Sequence, residues 1–345
     1  MSLSKIINFF RVNKNLAIDL GTSNVLIYDR HKRKIVLNEP SVIVRDKKSN
    51  KVIAVGREAR EMLGKNPDSI EVIKPLKDGV ISDDNSARDM LSEFMKKVYG
   101  VSPFKPDIMI CIPIEVNTVD KRALFESVRG AKRVYLIEEG RAAIIGSGVN
   151  ISLPMGSMVI DIGGGSTDIA ILSLNEIVAS KSIKMAGNTL DQDIARYVKT
   201  NLNLVIGDRT AEKIKKELAT AVKLSEDENI KMPVKGRSLS TNTPMELEIS
   251  ANQVQEAIGR TIESMVDSVK EVLSKCPPEL AADILDNGIV LTGGGALIKH
   301  LDKYIEEKTK VPVKIAEKPL ESVVVGAGLA FDNKALLKTL LMREN

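Results

Sequence analysis

Two stretches of this chain combine an acid, a glycine-rich turn and small hydroxyl residues in the same order. NLAIDLGTSNVLIYD begins at Asn15 and SMVIDIGGGSTDIAIL begins at Ser157. In the first, Gly21, Thr22, Ser23 and Asn24 follow Asp19; in the second, Gly163, Gly164, Gly165, Ser166 and Thr167 follow Asp161. Glycine turns let backbone N–H groups converge unobstructed, and such concave arrays hold anions. Two of them suit a polyphosphate gripped from both sides. A carboxylate at the end of each preceding strand would repel phosphate unless a divalent cation lay between. Asp19 and Asp161 are therefore candidates to hold Mg²⁺ through its waters, because Mg²⁺ gives up hydration reluctantly. The first turn alone also reads as an ordinary β-hairpin. Three glycines in a strand setting are harder to dismiss, since they weaken the strand with no packing return. A third glycine group, LTGGGALI at Leu291–Ile298, is expected to open a helix, where a flat ligand can approach the backbone; a tight strand-to-helix connection is the plainer reading.

Other chemistries lack their residues. The chain has two histidines and two cysteines, no HExxH and no cysteine pair at ligand spacing, so a zinc site or a serine–histidine nucleophile is not expected. No GxxxxGK[ST] occurs, and the GAG at Gly326–Gly328 lacks the third glycine of a dinucleotide fingerprint. A net charge of +4 and 3% aromatic residues disfavour a nucleic-acid reader. Cys111 and Cys276 cannot build a disulfide framework, which fits a reduced, cytoplasmic chain.

The elements that must position these turns alternate between strand-like and helix-like patterns. Asn15–Asp29, Asp107–Ile114, Met158–Leu174 and Gly288–Thr292 read as strands. Arg57–Leu63, Asn85–Tyr99, Asp120–Arg129, Leu190–Leu202, Thr210–Leu224, Ala251–Lys275, Leu297–Lys308 and Val323–Phe331 read as helices. Lys231–Ile249 is polar and strand-like, with turn signals at Pro233, Gly236 and Pro244. The class is α/β. At 345 residues, and roughly 150 per domain, two domains or two halves are expected. The repeat at half-length indicates a duplicated unit with a cleft between its copies.

At the N-terminus Leu3, Ile6, Ile7 and Phe10 recur at helical spacing, with Lys5 and Arg11 between them. This is either a terminal helix packed on the body or an interfacial membrane anchor. The apolar-basic stretch Leu336–Arg343 leaves the same choice, with packing favoured. Lys32, Arg33 and Lys34 read as a solvated hairpin tip.

With its glycine turns the chain resembles the actin, Hsp70 and sugar-kinase superfamily. Within it, the chain is similar to the MreB bacterial actins almost end to end. The more specific segments are LNEPSVIV at Leu37–Val44, AVGREAREMLGKNPDSIEVIKPLKDGVISD at Ala54–Asp83, CIPIEVNTVDKRAL at Cys111–Leu124, GDRTAEKIKKEL at Gly207–Leu218 and PLESVVVGAGLA at Pro319–Ala330. The resemblance implies an actin-like (ribonuclease H-like) duplicated fold, with two lobes of two subdomains each around a nucleotide cleft. Lobe I would hold residues 1–151 and 320–345, with a small subdomain near 33–74. Lobe II would hold 152–319, with a small subdomain near 188–254.

It further implies ATP and Mg²⁺ as ligands, hydrolysis coupled to polymerisation into protofilaments, and peripheral attachment to the inner face of the cell membrane. The membrane contacts would be the N-terminal helix and a loop at Gly100–Lys105 with Val101 and Phe104 at its tip. Other shape or motility proteins are implied as partners. Gly21–Asn24 and Gly163–Gly165 would meet the phosphates, Glu212 and Lys215 the ribose and adenine, and Gly293, Gly294, Gly295, Ala296 and Leu297 the adenosine. For hydrolysis, Glu139 in Ile137-Glu138-Glu139-Gly140 would polarise the attacking water, beside the hydroxyl of Ser166.

Three positions depart from the family pattern. Gly140 stands where a proline is usual, Arg141 where the family is apolar, and Ser166 where threonine is usual. Serine keeps the hydrogen bond but loses the β-branch that fixes χ1, so a slower hydrolysis is expected. A small-molecule kinase of the same fold would need an acceptor site, and no insertion able to build one is evident. A chaperone of the Hsp70 kind would need a further domain after the last shared segment, and only about 15 residues follow it. A filament that binds ATP and hydrolyses it poorly remains the alternative.

Overall fold

The computed structural model describes residues 15–100, 105–116, 118–128 and 130–344. The chain forms two compact units, one of Met1–Asn150 with Glu321–Asn345 and the other of Ile151–Leu320.

The first unit is built on a six-stranded sheet. Apolar alternation and β-branched residues set its strands: β1 (Asn15–Leu20), β2 (Asn24–Asp29) and β3 (Lys34–Pro40) form an antiparallel meander. A small three-stranded sheet follows, of β4 (Ile43–Asp46), β5 (Val52–Val55) and β6 (Ile70–Ile73), and then a hairpin of β7 (Leu76–Lys77) and β8 (Val80–Ile81). The helix Asp84–Tyr99 is capped by the Asp83 carboxylate, which accepts from the Ser86 N–H at 3.0 Å. It leads toward β9 (Asp107–Ile112), and β10 (Arg133–Glu138) lies beyond the helix Thr118–Ser127. β9 pairs in parallel with β1, β10 pairs in parallel with β9, and Leu341–Glu344 adds an antiparallel edge on β10. All six residues of β9 are buried, as a strand covered on both faces requires. Arg45, itself buried, ties the small sheet to the helix Asp84–Tyr99 through Asp89 at 2.6 Å and Ser86 at 3.3 Å.

The second unit repeats this plan. β11 (Ser157–Ile162), β12 (Thr167–Ser173) and β13 (Glu176–Ile183) form the meander. β14 (Leu204–Val205), β15 (Lys231–Ser238) and β16 (Pro244–Ser250) form a separate small sheet. β17 (Ile289–Thr292) and β18 (Val313–Ile315) then add to β11 in parallel. Both units thus share one order: a meander, then two parallel strands added on the side of its first strand. The helices Gly187–Asn201 and Ala251–Ser274 pack their apolar faces into the second core, among them Leu190, Ile194, Ile258 and Ile262. The long helix starts at a capping box, with Ser250 and Gln253 reciprocally bonded.

Several expected boundaries shift. The turn between β15 and β16 lies at residues 239–243, with Asn242 at φ 58°, while Pro233 and Gly236 sit inside β15. Gly236 is there because a Cβ would lie 2.4 Å from the Val205 carbonyl oxygen. The helix expected to run to Leu224 stops at Leu218, where the chain turns into a parallel bridge between Thr220 and Lys299. In the helix Lys334–Leu340, Leu336 and Leu340 are buried, which settles those two side chains as packing. Among the described residues no helix is long and apolar enough to cross a membrane.

Candidate functional site

In the first unit the parallel strands β1, β9 and β10 end on one side of the sheet, where open α/β sheets hold ligands. Asp19 is the penultimate residue of β1, and burial pushes its carboxyl up from 3.8 to about 7. The turn that follows is held in place by its neighbours. The Ser41 hydroxyl donates to the Gly21 carbonyl at 2.5 Å, and the Ser41 N–H donates to Ser23 O at 3.0 Å. Thr22 is buried, and its hydroxyl accepts from the Gly79 N–H at 3.0 Å. Asn24 donates to the Asn38 side chain at 2.6 Å. Ser23 is exposed at the tip. A Cβ on Gly21 would sit 2.8 Å from the Asn24 carbonyl oxygen, so the turn closes this tightly only with glycine.

Glu139 is the first residue of the helix Glu139–Gly146, directly after β10. It lines one small pocket with Leu20, Gly79, Cys111, Pro113 and Leu124. Glu139 thus shares a pocket with Leu20, the residue before the first glycine turn, and with Gly79, whose N–H donates to Thr22 within that turn. Gly140 is buried in the first helical turn. Arg141 is buried and forms an ion pair with Glu138 at 3.1 Å.

The second unit gathers four of the candidate elements. Asp161 and Ser166 are buried on either side of the glycine turn, which the Gly163 N–H closes onto Ser166 O at 2.9 Å. Asp161 pairs in register with Thr292, so the Gly293–Leu297 turn begins just past the neighbouring strand end. Gly293 has φ 78°, and a Cβ there would lie 2.4 Å from Ile162 O and 2.6 Å from an Asp161 carboxylate oxygen. This turn is a 3₁₀ helix, Gly294–Leu297, and the α-helix begins only at Leu301, so no α-helix N-terminus stands at Gly293. Gly295 and Ala296 are buried; Gly294 and Leu297 are the exposed members.

Glu212 and Lys215 lie on the helix Asp208–Leu218. Lys216 donates to Glu212 at 2.7 Å, and Lys215 donates to the Gly187 carbonyl at 2.7 Å. Sequence reasoning missed Gly187, Asn188 and Asp191. The N–H groups of Gly187 and Asn188 donate to the carbonyls of Gly163 and Gly164 at 3.1 and 2.8 Å. Spacing gave no signal for this, because the contact joins a turn to a helix start more than twenty residues on. The candidate membrane residues Leu3, Ile6, Ile7, Phe10, Val101 and Phe104 lie outside the described residues. Among the described residues no cluster of three or more His, Cys, Asp or Glu side chains forms a metal cage. Each unit has one aspartate at its turn, Asp19 in the first and Asp161 in the second, and carboxylate oxygen is a donor type that Mg²⁺ takes.

The model of the family MreB/Mbl protein matches residues 13–339. The chain belongs to the MreB/Mbl family. It is 46% identical over 323 residues to the cell shape-determining protein Mbl of Bacillus subtilis (strain 168), covering 93% of this chain and 96% of that one. It is 43% identical over 328 residues to the cell shape-determining protein MreB of Escherichia coli (strain K12), covering 93% and 94%. Among solved structures it is similar to MreB 5 of Spiroplasma citri bound to AMPPNP. The TM-score is 0.89 at 37% identity, with 96% of this chain and 100% of that chain covered. The fold is the actin-like α/β fold of that family, with its meander-plus-two-parallel-strands plan present in each unit.

Proposed function

We propose that this MreB/Mbl-family protein is a cell-shape cytoskeletal ATPase that binds ATP with Mg²⁺ and polymerises into filaments at the inner face of the cell membrane. The observation that carries the reading is the placement of a glycine turn, after an acid-bearing strand, at the end of the parallel strands in each unit of a chain similar to an AMPPNP-bound protein. In this reading one nucleotide engages both turns. Ser23 and the backbone amides of Gly21–Asn24 and Gly163–Gly165 hold the phosphates. The helix that carries Glu212 and Lys215 borders the ribose and adenine, and Gly293–Leu297 borders the adenosine. Asp19 and Asp161 hold Mg²⁺ through water, and the cation offsets the phosphate charge. Cytoplasmic, membrane-peripheral location and contact with other shape proteins belong to the same reading.

Glu139 orients and polarises the attacking water, with the Ser166 hydroxyl beside the phosphate. Phosphoryl transfer depends mostly on positioning and charge stabilisation. Gly140 in the first turn of the helix that carries Glu139, and a serine without a β-branch at 166, therefore set a low turnover. Filaments would then persist as a scaffold between slow hydrolysis events. The direct test is a light-scattering trace started with ATP, with phosphate release followed in parallel. Rising scatter that needs ATP and Mg²⁺, with slow phosphate release, is expected; no ATP-dependent assembly would remove the filament reading. Glu139→Ala is expected to keep nucleotide affinity and lower phosphate release by about a hundredfold; unchanged turnover would take Glu139 out of the mechanism. Deleting residues 1–11 is expected to weaken co-sedimentation of filaments with liposomes. Binding equal to wild type would place the anchor in the Val101–Phe104 loop or the C-terminal stretch.

A further inference from the structure

The turn Gly163–Gly165 owes its orientation to a helix start. The N–H groups of Gly187 and Asn188 belong to the first turn of the helix Gly187–Asn201, where they have no partner inside the helix. They donate to Gly163 O at 3.1 Å and Gly164 O at 2.8 Å. In a trans peptide the N–H points opposite to the C=O. Fixing these two carbonyls toward the helix therefore aims the N–H groups of Gly164 and Gly165 away from it, toward an incoming anion.

The helix start is itself held. Lys215, on the neighbouring helix, donates to Gly187 O at 2.7 Å and forms an ion pair with Asp191 at 2.9 Å. Both side chains of this pair are only 16% exposed. Asp191 lies four residues after Gly187, on the same helix face. The packing is close. A Cβ on Gly187 would sit 3.2 Å from both Gly163 O and the Lys215 ammonium, and 3.6 Å from Gly164 Cα. Burial pushes the Asp191 carboxyl up, and Lys215 opposes that shift. An ammonium this buried keeps its place only while a carboxylate faces it.

We infer that Asp191 is a positioning residue for the phosphate turn of the second unit, acting through Lys215 and the Gly187 carbonyl. This rests on the nucleotide-binding reading of that turn. It assigns Lys215 a brace under the phosphate amides, where the family resemblance implies a border to the ribose and adenine. The two roles differ in what they discriminate. A brace under the phosphate turn matters for ATP and little for AMP, whereas a contact to the base or ribose weakens both by the same factor.

The test titrates full-length wild-type, Asp191→Asn and the double variant Asp191→Leu/Lys215→Met with ATP and with AMP, both with Mg²⁺, by calorimetry. Thermal melting without nucleotide is recorded alongside. Asp191→Asn is expected to bind ATP about tenfold more weakly, the loss of one charge-assisted hydrogen bond in a buried setting, with AMP binding unchanged. The double variant removes both charges, so it is expected to melt near wild type and still show the ATP-specific loss; it carries the test if Asp191→Asn fails to fold. Unchanged ATP affinity in the folded variants, or equal loss for ATP and AMP, overturns the inference. Failure of wild type to bind ATP would instead sink the nucleotide reading on which the inference rests.

Discussion

Gly326→Ala is expected to cost about 3 kcal/mol of stability and to abolish most ATP turnover. Gly326 lies on the helix Ser322–Ala330, which crosses the helix Glu139–Gly146 with backbone against backbone. A Cβ on Gly326 would lie 1.8 Å from the Ala142 carbonyl oxygen and 2.6 Å from the Gly146 N. From the other side, a Cβ on Gly146 would lie 1.9 Å from the Ser322 carbonyl oxygen. Neither obstacle is a side chain that can rotate away, so the helices must separate. One of the two helices carries Glu139 at its first position. Thermal melting and phosphate release on the same preparation check both halves of the expectation. Gly259→Ala is the matched control. It lies within the helix Ala251–Ser274, and a Cβ there would meet only the Gln255 side-chain amide, at 3.5 Å. That substitution is expected to stabilise the protein by about 0.5–1 kcal/mol, because alanine loses less backbone entropy in a helix than glycine. Equal behaviour of the two variants would contradict the close helix crossing.

Gly293→Ala is expected to weaken ATP binding by about a hundredfold while leaving most of the fold intact. The position has φ 78° and ψ 177°, a region open essentially to glycine, and holding an alanine there costs roughly 1–3 kcal/mol. The larger effect is local. The new methyl group would press on the Ile162 carbonyl and on the Asp161 carboxylate, 2.4 and 2.6 Å away. Ile162 leads directly into the glycine turn, so both the carboxylate and the turn would be displaced. Losing one or two hydrogen bonds to the charged phosphates, at about 1.5–3 kcal/mol each, amounts to about a hundredfold in affinity. Calorimetric titration with ATP and Mg²⁺ reads the effect, and wild-type affinity in the variant would show that Asp161 and its turn tolerate displacement.

Much of the site's framework was legible because its signals are local. Asp19-Leu20-Gly21 and Asp161-Ile162-Gly163 each join two apolar strands, and the structure has those strands and turns where the pattern put them. The long helix after Ser250 was equally legible, since its capping box and apolar spacing lie within one stretch of chain. What was hidden depends on contacts between distant segments. The GAG at Gly326–Gly328 is idle as a nucleotide fingerprint, and its meaning appears only with the partners. Gly326 meets Ala142, and a Cβ on Gly328 would lie 2.2 Å from the Tyr28 ring. The helix Glu139–Gly146 carries little sequence signal because it begins the moment β10 ends and contains two glycines, which lower its propensity. Lys215 showed its position on a helix face but not its partner, because Asp191 and Gly187 reach it from another helix. Pro233 and Gly236 imitated turn signals inside β15, where close packing, not chain reversal, explains the glycine.

A crystal structure of the protein with AMPPNP and Mg²⁺ tests the nucleotide reading most directly. The expected density has phosphate oxygens within about 2.7–3.2 Å of amides from both Gly21–Asn24 and Gly163–Gly165. It has a hydrated metal whose waters reach the carboxylates of Asp19 and Asp161. A nucleotide that touches a single turn, or a metal whose waters reach neither aspartate, would contradict it.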